Sequence, residues 1–140
     1  MKKVTVFILL AVFCLGLSGC SKDAEVEAFI TENDSVMKDI TTKIDANPTA
    51  AGVDDAQKSF DSKKANLKTK WDAIKDARGA QVSEATQKKL NDSVANNMKA
   101  LTDVSTKNMM KLAQDKDGAT KFQKLMQDYA AIFGQGPTAK

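Results

Sequence analysis

The chain has 140 residues, with 21 Lys and Arg against 18 Asp and Glu, two cysteines and no histidine. Without imidazole the commonest general base and metal ligand is missing, which removes Cys-x-x-Cys-His haem attachment and any di-iron site built on Glu-x-x-His. The length suits one ordinary domain and not two.

The chain opens with Lys2 and Lys3, then an almost unbroken apolar run from Val4 to Leu17. At about fourteen residues the run falls short of the roughly twenty that span a bilayer. A positive start, a short apolar stretch and small residues before Cys20 together read as a secretory leader. The segment resembles the signal peptides of bacterial lipoproteins, whose Leu-Ser/Ala-Gly/Ala-Cys lipobox is met here by Leu17, Ser18, Gly19 and Cys20. The resemblance implies that residues 1–19 are removed as a signal peptide. It also implies that Cys20 becomes the first mature residue, with diacylglycerol on sulfur and a further acyl chain such as palmitate on its amino group. One acyl chain binds a membrane only marginally, whereas two or more hold firmly. Ser21 follows the cysteine; in enteric-type bacteria this implies transfer to the outer membrane, with the body facing the periplasm. The resemblance covers residues 1–20 and is silent about the rest.

Removing the leader leaves residues 20–140 without a usable thiol, because Cys14 departs and the lipid consumes Cys20. No disulfide, thiol nucleophile or thiolate metal site is then expected. Between Cys20 and Gln57 three lysines face nine acids, whereas from Lys58 onward sixteen basic residues face nine acids. The split reads as an acidic helix packed beside basic ones. Nucleic acid is not the expected partner, since the lysines are interleaved with Asp and lack aromatic company.

Residues 20–25 read as the lipidated N-terminus and a tether, residues 26–133 as the helical domain, and residues 134–140 as a disordered tail. The first helix carries Val26, Phe29, Ile30, Asn33, Met37, Ile40 and Ile44 at helical spacing and ends at Asn47-Pro48. Acids at 23, 25 and 27 suit its first turns. Asn33 stands at a core-like spacing, where a polar residue sets register or oligomer state or faces a gap between neighbours. The second stripe runs Val53, Ala56, Phe60, Leu67, Trp71, Ile74 and Ala77, starting either from a cap at Asn47 or near Val53, and stopping at Arg78-Gly79. Lys63 and Lys64 interrupt it, which predicts exposure or snorkelling there. Ser83 caps a third helix whose face is read as Leu90, Val94, Met98, Leu101, Val104, Met109 and Leu112. After a break at Asp117-Gly118, Phe122, Leu125, Met126, Tyr129, Ile132 and Phe133 form a short, strongly apolar fourth helix. No internal repeat is evident.

Short connections between long helices favour antiparallel neighbours. The expected fold is therefore all-α: an antiparallel bundle of three long helices with the short fourth folded back over a groove. No phosphate-binding loop or nucleophile elbow is present. Asp115-Lys116-Asp117-Gly118 reads as a helix start and not as a calcium loop, and four of the five methionines left after processing read as core filler in place of a copper site. No metal or other cofactor is expected. Trp71 and Tyr129 are candidate ligand or partner contacts, because large rings with polar handles are enriched at binding surfaces, and Phe122 and Phe133 are candidates as the apolar segment that would close on a ligand. The expected role is non-catalytic binding or scaffolding beside an envelope protein or the cell wall, from a membrane anchor. The alternative is a carrier that holds a small apolar ligand between its helices.

Overall fold

The computed structural model describes residues 21–77 and 81–134. Four helices follow in order: α1 Asp23–Ala46, α2 Ala50–Ile74, α3 Glu84–Gln114 and α4 Gly118–Ala130, the last continued by a 3-10 turn over Ala131–Phe133. Three long helices and a short fourth make an all-α bundle. No helix among the described residues is long and apolar enough to cross a membrane.

Side-chain pairs fix the directions. Asp39 bonds Ser59, and Glu32 bonds Asn66 and Lys70, so positions rising along α1 fall along α2: the two are antiparallel. Asp34 pairs with Asn97 and Asp45 with Asn108, a constant separation of 63 that makes α1 and α3 parallel. Phe60 meets Tyr129 and Trp71 meets Phe133, so α4 runs along α2 in the same direction. The helix α1 packs on both α2 and α3, and α4 packs against α2 and α3.

The core joins Val26, Phe29, Met37, Ile40 and Ile44 of α1 to Val53, Phe60 and Leu67 of α2, Leu101 and Leu112 of α3, and Leu125 and Ile132 at the C-terminal end. Burying each such side chain contributes about 1.5–3 kcal/mol relative to leaving it in water.

The helix ends depart from expectation in ways the side chains explain. The helix α1 starts at Asp23, so residues 23–25 are helical and not tether, and the Lys22 N–H donates to the Gln81 carbonyl at 2.6 Å. Neither expected start of α2 holds: Thr49 caps it, accepting from the Gly52 N–H. Asp115, 65 residues away, accepts from the Ala50 N–H at 2.7 Å, so the segment read only as a helix start also caps α2. Glycine is required at position 52, where an added Cβ would stand 1.8 Å from the Asn47 carbonyl oxygen. The helix α2 ends at Ile74, ahead of the predicted stop; Arg78 and Gly79 lie outside the described residues, as do residues 135–140 of the predicted tail.

The largest correction concerns α3. Its buried positions are Thr86, Ser93, Asn97, Leu101, Val104, Asn108 and Leu112. Met98 and Met109, read as core, are 46% and 59% exposed, and Met110 is 78% exposed. The buried set repeats every eleven residues as Thr86/Asn97/Asn108, Leu90/Leu101/Leu112 and Ser93/Val104, although Leu90 is only partly buried. The helix α1 answers with Asp23/Asp34/Asp45, Val26/Met37 and Phe29/Ile40. This is a period of buried positions along nearly straight helices and not a repeated sequence segment. Eleven residues per three turns is 3.67 per turn, close to the straight-helix value of about 3.6, so two parallel helices stay in register with little supercoiling.

Candidate functional site

Three of the four candidate contact residues converge. The Trp71 and Phe133 rings lie 5.1 Å apart between centroids, Tyr129 and Phe133 5.3 Å, and Phe29 joins Trp71 at 5.5 Å. Phe60 reaches Tyr129 from the other side at 6.1 Å. These separations and tilted or edge-on angles are those at which aromatic pairs attract. Phe122 is buried in the common core but makes none of these ring contacts.

The cluster is a packed knot, with Trp71 and Phe133 half-buried at its rim. Beneath them the Tyr129 hydroxyl donates to Asn33 Oδ1 at 2.8 Å, deep in the interior. Burial pushes the phenol up to about 12, against the opposing pull of that hydrogen bond. Asn33 thus links α1 to α4, and its Nδ2 finds no hydrogen-bond partner among the described residues.

Two hollows on the described surface lie away from the rings. One of about 420 Å³ is lined by Val82, Glu84, Gln87, Lys88, Asn91 and Asp92 at the start of α3. The other, about 190 Å³, is lined by Val53, Asp54, Gln57, Lys121 and Lys124 between α2 and α4. Charged and amide side chains line most of the first, and Val53 is the one aliphatic residue lining the second. An apolar ligand site is typically a cavity of 300 Å³ or more dominated by hydrophobic side chains.

Between α1 and α3 runs a ladder of carboxylates that each accept from a neighbour helix. Asp23 accepts from the Ser83 N–H at 2.8 Å, Asp34 from the Ser93 hydroxyl at 2.5 Å and Asn97 at 2.8 Å, and Asp45 from Asn108 at 2.7 Å and Lys107 at 3.0 Å. The Ser83 N–H holds Asp23 below the usual carboxylate value, and the Lys107 and Asn108 donors do the same for Asp45. These residues escaped the sequence reading; their mark was the eleven-residue spacing of Asp23, Asp34 and Asp45. The expected meeting of opposite charges is found as Glu27–Lys89, Glu32–Lys70, Asp45–Lys107 and Asp54–Lys121. Lys64 lies over the Phe60 ring at 5.7 Å and reaches Asp128 at 3.5 Å, the snorkelling predicted for that interruption.

Among the described residues no three His, Cys, Asp or Glu side chains come together to hold a metal ion. The lipobox residues Leu17, Ser18, Gly19 and Cys20 lie outside the described residues. Comparison with protein-family models, curated proteins and solved structures found no match.

Proposed function

We propose that this chain is a lipoprotein of the bacterial envelope, anchored through acyl chains on Cys20, whose helical body serves non-catalytically as a binding or scaffolding element. Its site of action in this reading is the periplasmic side of the outer membrane. One observation carries the proposal: the run Leu17-Ser18-Gly19-Cys20 directly after a lysine-led apolar leader. A lipid anchor attached there reaches the body at the N-terminus of α1, beside Gln81 and Ser83 at the start of α3.

Packing favours work from the outer surface. The rings that a carrier would turn toward a ligand instead contact one another. Intact-mass measurement on membrane extracts tests the anchor. The expected species begins at Cys20 and carries a diacylglyceryl group plus one amide-linked acyl chain, and Cys20→Ser abolishes both lipid and processing. A chain that keeps its leader, or begins elsewhere without lipid, overturns the proposal.

A further inference from the structure

The end of the bundle nearest Cys20 has no slack. The helix α1 begins at Asp23, three residues after that cysteine. Of the two residues between, Ser21 accepts from the Asp23 N–H through Oγ at 3.3 Å, and the Lys22 N–H donates to the Gln81 carbonyl at 2.6 Å. Asp23 then accepts from the Ser83 N–H at 2.8 Å. The first turn of α1 is thus tied to the start of α3, and the backbone is held from Lys22 onward. Fully extended, the chain from Cys20 to Lys22 spans at most about 7 Å. The polar layer of one membrane leaflet is about 5–7 Å deep.

Charges at this end close on one another: Lys22 with Glu25, Lys75 with Asp72, and Lys89 with Glu27. Asp76 and Glu84 stand beside them. An anionic surface finds no cationic patch here, whereas zwitterionic headgroups, which carry both signs, find partners for each. The sides of the bundle offer a membrane less. The exposed large hydrophobic residues of the described chain are Met98, Met109 and Met110, all on α3. A helix that lies in the interface turns Trp, Phe or Leu toward the acyl chains, and no exposed residue of those types draws this bundle onto its side.

We propose that this end, made of the start of α1, the end of α2 and the start of α3, rests in a layer of phospholipid headgroups with the bundle standing on it, held there by the short tether. The seat rests on the anchor proposed for Cys20 and deepens that reading. With one acyl chain amide-linked to its nitrogen, Cys20 puts its own backbone at the hydrocarbon boundary, and two residues then lead to Lys22. The tether is no longer than the polar layer is deep, so Lys22, Gln81 and Ser83 meet headgroups. The far end, where Asp115 caps α2, stands about 46 Å away, the length of the 31-residue α3. A partner of the scaffold is therefore one that comes within that reach of the membrane.

The test uses the protein extracted from membranes of the cell that makes it and placed in phosphatidylcholine vesicles doped with a lipid that carries a nitroxide on its headgroup. Ala85→Cys puts an exposed thiol for a fluorescent label at the seated end, Ala51→Cys at the start of α2 and Ala113→Cys at the end of α3. Helical circular dichroism of each matches the parent. The label at 85 loses most of its emission to the nitroxide. Those at 51 and 113, about 35 and 42 Å farther from the seat, keep theirs. Inserting about twelve Gly and Ser residues between Ser21 and Lys22, which span ~20 Å on average, restores the emission at 85. Loss at 51 or 113 to match that at 85, no loss at 85, or a loss at 85 that the insert leaves unchanged overturns the seat. Intact mass of the same sample tells the two readings apart. Lipid-bearing chains with any of those patterns lose the seat and keep the anchor, whereas chains without lipid lose both.

Discussion

Asn33 and Tyr129 show how one buried polar pair fixes the place of a helix. The phenol donates to the amide oxygen at 2.8 Å in an interior otherwise filled by rings and aliphatic groups. Tyr129→Phe keeps the ring stack but strands Asn33 Oδ1 beside an amide nitrogen that has no partner among the described residues. The expected loss is about 1–3 kcal/mol, the cost of leaving a buried acceptor unsatisfied, and urea unfolding measures it. The same pair sets an alkaline limit. The folded phenol titrates at about 12 and the free one at 10.0, so its contribution is whole below pH 10 and is lost as pH rises through 12. The chain has one tyrosine, so tyrosinate absorbance reports this group alone. Titration of the folded protein near 10 would contradict the buried placement.

At the scale of elements, α1 and α4 were legible because their apolar residues occupy their buried positions. The helix α3 was not, and the reason is chemical. Its seam toward α1 carries Thr86, Ser93, Asn97 and Asn108, while methionines take the exposed flank, so apolar spacing pointed to one side of the true face. The information lay in the shared period of eleven, which apolar spacing alone cannot separate from 3.6. Of the candidate site, Trp71, Tyr129 and Phe133 come together in one ring cluster, a meeting that helical spacing within each segment does not reveal. Phe122 sits seven residues, about 10 Å, up α4 from Tyr129 and falls short of the cluster. Asp34 tests the ladder. Asp34→Ala removes the acceptor of Ser93 and Asn97, both buried, and costs about 1.5–3 kcal/mol by urea unfolding, the range for hydrogen bonds to charged groups. Asp103→Ala, which breaks only the exposed pair with Lys99, costs less than about 1 kcal/mol. Equal losses would reduce the ladder to surface decoration.

At the scale of the whole molecule, the helices are joined at several points by carboxylates whose pKa values are held down. The Ala50 N–H does this for Asp115 at the start of α2, the Ser59 hydroxyl for Asp39 between α1 and α2, and the Ser83 N–H for Asp23 where α1 meets α3. Lys124, and then Lys64 of α2, do the same for Asp128 on α4. Each group is more acidic folded than its ordinary value of 3.8. Its stabilisation is therefore whole above that value and is lost as pH falls through the lower, folded one. No histidine titrates in between, so the urea midpoint followed by circular dichroism stays nearly level from pH 7 to about 5 and drops below about 4. For Asp23, Asp39 and Asp115 the leading cause is a hydrogen bond from a neutral donor and not an exposed lysine. Salt at pH 7 therefore moves the midpoint much less than acid does, because screening acts on charge pairs and leaves backbone and hydroxyl donors in place. A midpoint at pH 3 equal to that at pH 7 would mean that these carboxylates do not join the helices in solution.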